Sequence, residues 1–111
     1  MYDDTILAEI QAELSLAETS RLDGFEGRAR VCARRAAGIA IREYLKTKKI
    51  PISVSSANQL ILEFKNLPNL PEDLFQISAH LLMKVNEDFS FPGEIDLIAE
   101  VRYLVEKLGG S

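Results

Sequence analysis

Eight of the chain's 13 Lys and Arg residues fall between Arg28 and Lys49, against one acid, Glu43. That stretch carries a charge of +7 in a protein of net charge −4, and it is also the most broadly apolar part of the chain. Its spacing predicts one long helix from about Gly27 to Lys46. At about 100° per residue, Cys32, Ala33, Ala36, Ala37, Ile39, Ala40 and Tyr44 fill roughly half the circumference, and Ile41 and Leu45 widen the arc. An ordinary surface helix has a narrower stripe, so this one is expected at the centre of the fold, touching several neighbours. Its small residues allow close approach. Gly38 in mid-helix costs about 1 kcal/mol relative to Ala, which packing is expected to offset.

The arginines of this helix fall into two groups. Arg28, Arg35 and Arg42 recur every seven residues and read as a solvated ridge. Arg30 and Arg34 point onto the face that Ala37, Ile41 and Leu45 continue, so that face is cationic at one end and apolar at the other. Such a pair suggests either a partly buried ion pair or an anion site. The candidate ligand-binding set is Arg30, Arg34 and Arg35. Residues 1–27 carry −6 and residues 50–111 carry −5, so the simplest arrangement has acidic helices clasping a basic one. A domain that binds nucleic acid through an exposed patch more often has an overall basic surplus.

At 111 residues and 47% apolar, the chain is long enough for one domain with one core. The reading is an all-α, single-domain bundle of four to five helices over residues 1–108, with 109–111 a flexible tail. The single cysteine excludes an intramolecular disulfide framework and fits a reducing compartment, and no stretch resembles a signal peptide or a membrane span, so a cytoplasmic location without membrane attachment is expected.

The first helix is expected from a cap at Asp3 or Asp4 to about Thr19, with Ile6, Leu7, Ile10, Leu14 and Ala17 on one face. Glu9, Glu13 and Glu18 are candidate partners for the second helix's arginines across a hairpin. After Lys46, Ile50 to Val54 reads as extended chain lying over the bundle. Ser56 with Gln59 fits a capping box for a short helix ending near Asn66, and Pro71 suits the first position of the next, whose predicted inward set is Leu74, Phe75, Ile77, Ser78, Leu81, Leu82 and Val85. A loop over 86–92 brings Phe89 and Phe91 to the end of the bundle. A last helix is expected from about Gly93 to Leu108.

No catalytic constellation is legible, and the expectation is a protein without enzymatic activity, metal or cofactor. His80, the only histidine, falls outside the apolar arc of its helix and reads as a surface residue. Cys32 reads as a buried, inert thiol. The carboxylates Glu87, Asp88, Glu94 and Asp96 flank a helix start, where the macrodipole accounts for them.

The run Arg30-Val31-Cys32-Ala33-Arg34-Arg35-Ala36-Ala37-Gly38-Ile39-Ala40, set in a helical hairpin and followed by a short helix and two helices joined across Phe91-Pro92-Gly93, resembles the HEPN domains. The resemblance spans nearly the whole chain. It implies an all-α, often dimeric module of the kind found in prokaryotes and higher eukaryotes beside nucleotidyltransferases or in toxin-antitoxin and defence systems. The family's ribonuclease motif, Arg followed by four to six residues and His, is not met: Asp73, Leu74 and Phe75 occupy the matching positions upstream of His80. The resemblance therefore implies fold and dimerisation and no catalytic residue. Two classes of function remain: a self-associating interaction module, forming a homodimer or binding another protein, and a nucleotide or RNA binder using Arg30, Arg34 and Arg35.

Overall fold

The computed structural model describes residues 2–83 and 95–109. Within them the chain forms five helices and no strand: α1 (Asp4–Leu22), α2 (Glu26–Thr47), α3 (Ala57–Lys65), α4 (Glu72–Leu82) and α5 (Leu97–Gly109). The expected all-α bundle with a long central helix is what forms. α2 packs on α1, α3 and α5, while α4 closes the bundle against α3 and α5. Most of the predicted arc of α2 is buried, with Cys32, Ala33, Ala36, Ala37, Ala40 and Ile41 at most 1% exposed, while Ile39 and Tyr44 at its edges are half-buried. α3 comes close at Gly38: a Cβ built there would lie 3.0 Å from the Cβ and 3.2 Å from the Cα of Ala57.

Both ends of the α1–α2 hairpin are set by local hydrogen bonding. Asp3 accepts from the Ile6 amide at 2.8 Å, capping α1. At its far end α1 runs to Leu22, a turn past the expected Thr19, because Gly24 (φ +84°) closes it with bonds from the Gly24 amide to the Arg21 carbonyl and from the Phe25 amide to the Ser20 carbonyl. α2 ends in the same motif with Lys49 (φ +59°) in the left-handed position: the Lys49 amide donates to the Lys46 carbonyl and the Ile50 amide to the Leu45 carbonyl. From there Ile50, Ile52 and Val54 pack on the core as extended chain. Ser56 caps α3 by accepting from the Gln59 amide, and Pro71 stands just ahead of α4 rather than inside it.

The core joins Ile10, Leu14 and Ala17 of α1 to Leu60, Ile61 and Phe64 of α3, Leu81 of α4 and Val101 and Leu104 of α5, all around α2. Phe64 is fully buried and meets Tyr44 edge-to-face at 5.8 Å. Full burial of a side chain of that size contributes about 2–3 kcal/mol. Phe75, expected inside, is 38% exposed, with the Lys65 ammonium over its ring. α5 begins at Leu97, and Val85, the 86–92 loop with Phe89 and Phe91, the expected start at Gly93, and Gly110 and Ser111 lie outside the described residues. Gly109, assigned from sequence to the tail, is the last residue of α5. It lies beneath the Tyr2 ring, and the Tyr2 hydroxyl donates to the Val105 carbonyl at 2.8 Å. Burial, with Glu43 nearby, raises that phenol to about 12.

Candidate functional site

The three arginines singled out from sequence do not share one surface. Arg30 and Arg34 are half-buried one turn apart on α2. The Arg30 guanidinium folds back along α2 toward Gly27 and borders a small cavity with Arg21, Glu26 and Asp96 at the start of α5. Arg34 has its acidity increased by burial first and by the Arg30 charge second. Arg35, one residue on, points about 100° away into solvent, and its nearest carboxylate oxygen is that of Glu13 at 4.0 Å. Arg42 stands on the same face as Arg35, half-buried, and donates to the Ser55 carbonyl at 3.0 Å. The seven-residue ridge thus carries a fixed guanidinium at Arg42 and a loosely held one at Arg35, bordering a cavity of about 260 Å³ between α2 and the start of α3.

The acids of α1 are used differently from the expected hairpin pairing. Glu13 faces Arg35, but Glu18 pairs with Arg102 of α5 at 2.8 Å, and Arg21 pairs with Asp96 at 2.9 Å. Two contacts then tie α4 to α5. His80, expected at the open surface, is only 24% exposed and its Nδ1 lies 2.8 Å from a Glu100 oxygen. The Tyr103 hydroxyl donates to Asp73, which lowers the carboxyl pKa and raises that of the phenol. Each pair holds a side chain of α4 against one of α5. Cys32 is buried as expected; desolvation raises its pKa first, Glu13 adds to this, and Arg35 and Arg28 oppose it. Among the described residues no group of three His, Cys, Asp or Glu side chains could hold a metal ion. No helix among them is long and apolar enough to cross a membrane.

Two features escaped the sequence reading. The face of α1 turned away from the core presents Thr5, Ala8, Ala12, Ser15, Leu16 and Thr19 to solvent, none of them charged, with Asp4 and Leu22 along one edge and Glu9 along the other, while Leu7, expected on the buried face with Ile10 and Leu14, is 39% exposed. Leu22 is 86% exposed. In a chain with 27% charged residues, a surface helix is expected to carry its charge there. The signal was present in the sequence, as a gap in the charge pattern opposite the Ile10-Leu14-Ala17 stripe. Beside this face an open groove of about 570 Å³ runs between α1 and α5, from Tyr2 past Leu7 to Arg102 and Glu106.

Comparison with models of known families, with curated proteins and with solved structures finds no match to this chain.

Proposed function

We propose that this protein is a non-catalytic helical interaction module that self-associates through α1. The observation that carries the reading is the uncharged solvent face of α1, since interface centres are depleted in charge and isolated helix surfaces are not. A second copy is the occupant that the spacing favours. Ala8, Ala12, Ser15 and Thr19 follow each other at four, three and four residues, a series that reads the same in either direction. An antiparallel pair therefore sets Ala8 against Thr19 and Ala12 against Ser15 of the second copy, with no large side chain on the seam to hold the axes apart. The HEPN-like resemblance of the Arg30–Ala40 run belongs to this reading, and dimerisation is what it implies.

Sedimentation equilibrium from 1 to 100 µM tests the proposal. The expected result is a dimer that Ala12→Glu converts to a monomer with unchanged helicity. A wild-type chain monomeric throughout, or a dimer indifferent to Ala12→Glu, refutes it.

A second reading, a nucleotide or RNA binder, is favoured by one observation: Arg34 is half-buried beside a like charge and pairs with no carboxylate among the described residues. A phosphate could relieve that repulsion. Binding of a short RNA that falls steeply with salt and is lost in Arg34→Gln would support it, whereas an unchanged melting temperature with nucleotides and RNA at 50 mM salt would remove it.

A further inference from the structure

We propose that the cavity between α2 and the start of α3 binds a small organic anion, with Arg42 and Arg35 on its charged head and Gly38, Ile39 and Leu60 under its apolar body. This does not depend on self-association through α1, nor on Arg30 and Arg34, which lie on another side of α2.

The geometry argues for it in four steps. Arg35 and Arg42 are seven residues apart on one helix, so they share a face at about 10 Å along the axis, within reach of one ligand. Arg42 is already oriented: half-buried, it is held by the Ser55 carbonyl, which leaves its other donors for a second acceptor. Arg35 is the adjustable member, with a 60% exposed side chain and no carboxylate closer than Glu13 at 4.0 Å, the outer limit of an ion pair. Between them the floor is apolar, formed by Gly38, Ile39 and Leu60, and its volume of about 260 Å³ suits a ligand of one ring and one oxyanion rather than a whole nucleotide. Gly38 lets α3 come in close, which brings Ser55 and Ala57 up as the cavity's far wall.

Glu13 borders the same cavity and competes for Arg35. An arriving anion takes Arg35 from Glu13 and meets the Glu13 charge, so Glu13 sets the affinity from the unfavourable side. That gives the proposal a signature that a purely structural role for the arginines lacks: removing the acid tightens binding while removing either base weakens it.

The experiment follows the Gly38 and Ala57 amides by ¹⁵N–¹H NMR at 20 mM salt, in the intact chain, while titrating phenyl phosphate, benzoate, inorganic phosphate and phenol. The expected result is saturable shifts at both amides with phenyl phosphate or benzoate, the better of the two identifying the head group. Phosphate and phenol, each half of the ligand, should bind at least about tenfold more weakly. Arg42→Gln should cost about tenfold, the factor carried by one charge-assisted hydrogen bond. Arg35→Gln, at an exposed position that leaves the fold intact, should weaken binding as well, and Glu13→Gln should strengthen it. Shifts absent with both aromatic anions at 20 mM ligand overturn the proposal. So do equal affinities for phenol and phenyl phosphate, or binding that neither Arg35→Gln nor Glu13→Gln alters. Loss of these shifts with self-association unaffected would count against this site alone, and a monomer that still binds would count against α1 alone.

Discussion

Replacing Gly38 by Ala sets helix propensity against packing at a close approach of α2 and α3. On an isolated helix the change gains about 1 kcal/mol. In the folded chain the new methyl would sit 3.0 Å from the Ala57 Cβ and 3.2 Å from its Cα, where carbon atoms prefer about 3.5–4.0 Å. The obstruction includes backbone, so no rotamer change relieves it and α3 must move as a body. Overpacking of this kind costs about 1–3 kcal/mol, leaving a net loss of about 1 kcal/mol, or about 5 °C in melting temperature for a domain of this size. Urea unfolding followed by circular dichroism measures it. A double-mutant cycle locates the cause: Ala57→Gly removes the nearer of the two contacts, so Gly38→Ala should be less damaging in that background by about 0.5–1 kcal/mol. A midpoint that rises in Gly38→Ala, or two changes that simply add, would refute the reasoning and return Gly38 to being a weak point in α2.

Other consequences are as direct. Gly24 and Lys49 occupy the same left-handed position in the same motif, and only the glycine holds it without strain. Lys49→Gly should therefore stabilise by about 0.5–1 kcal/mol and Gly24→Ala destabilise by about 1 kcal/mol in thermal unfolding. Tyr2 is an acid whose folded pKa, at about 12, exceeds its ordinary 10.0, so below pH 10 it makes no pH-dependent contribution, and between 10 and 12 the unfolded chain loses the proton first and stability falls. Tyr2→Phe should cost about 1 kcal/mol at pH 7 for the lost hydrogen bond, with the difference from wild type shrinking as pH rises above 10; a constant difference would sink this account. Cys32 should react with a thiol reagent at least about a hundredfold more slowly in the native chain than in urea, because reaction requires opening of the α1–α2 contact. Fast native labelling would show that face to be open.

What the sequence made legible was whatever depends on neighbours in the chain. The Ser56 cap and most of the apolar arc of α2 are each decided within four to fourteen residues, and the structure agrees with both; of the two caps open for α1, Asp3 is the one used. The expected α1 terminus at Thr19 falls short because the Gly24-centred motif carries the helix on to Leu22. Pairings between helices were not legible. Glu18 lies nearer in sequence to the arginines of α2 than to Arg102, yet α5 returns along α1 and takes it. His80 looked solvated from its own helix, and Glu100 reaches it from another. The arginines show the same limit in the candidate sites. The seven-residue repeat correctly put Arg35 and Arg42 on one face, but only the approach of α3 at Gly38 turns part of that ridge into the wall of a cavity.

The contact of Tyr2 with Val105 and Gly109 makes the described chain almost a closed ring. Residues 2 and 109 meet at one end of the bundle, so a linker of a few Gly and Ser residues can join them at little loop-closure cost. The chain can then be opened elsewhere, and the exposed turn at Asp23-Gly24 is the natural place. Such a permutant would begin with α2 and end with α1. It would keep the same packing while turning the most local contact in the fold, the α1–α2 hairpin, into the most distant one.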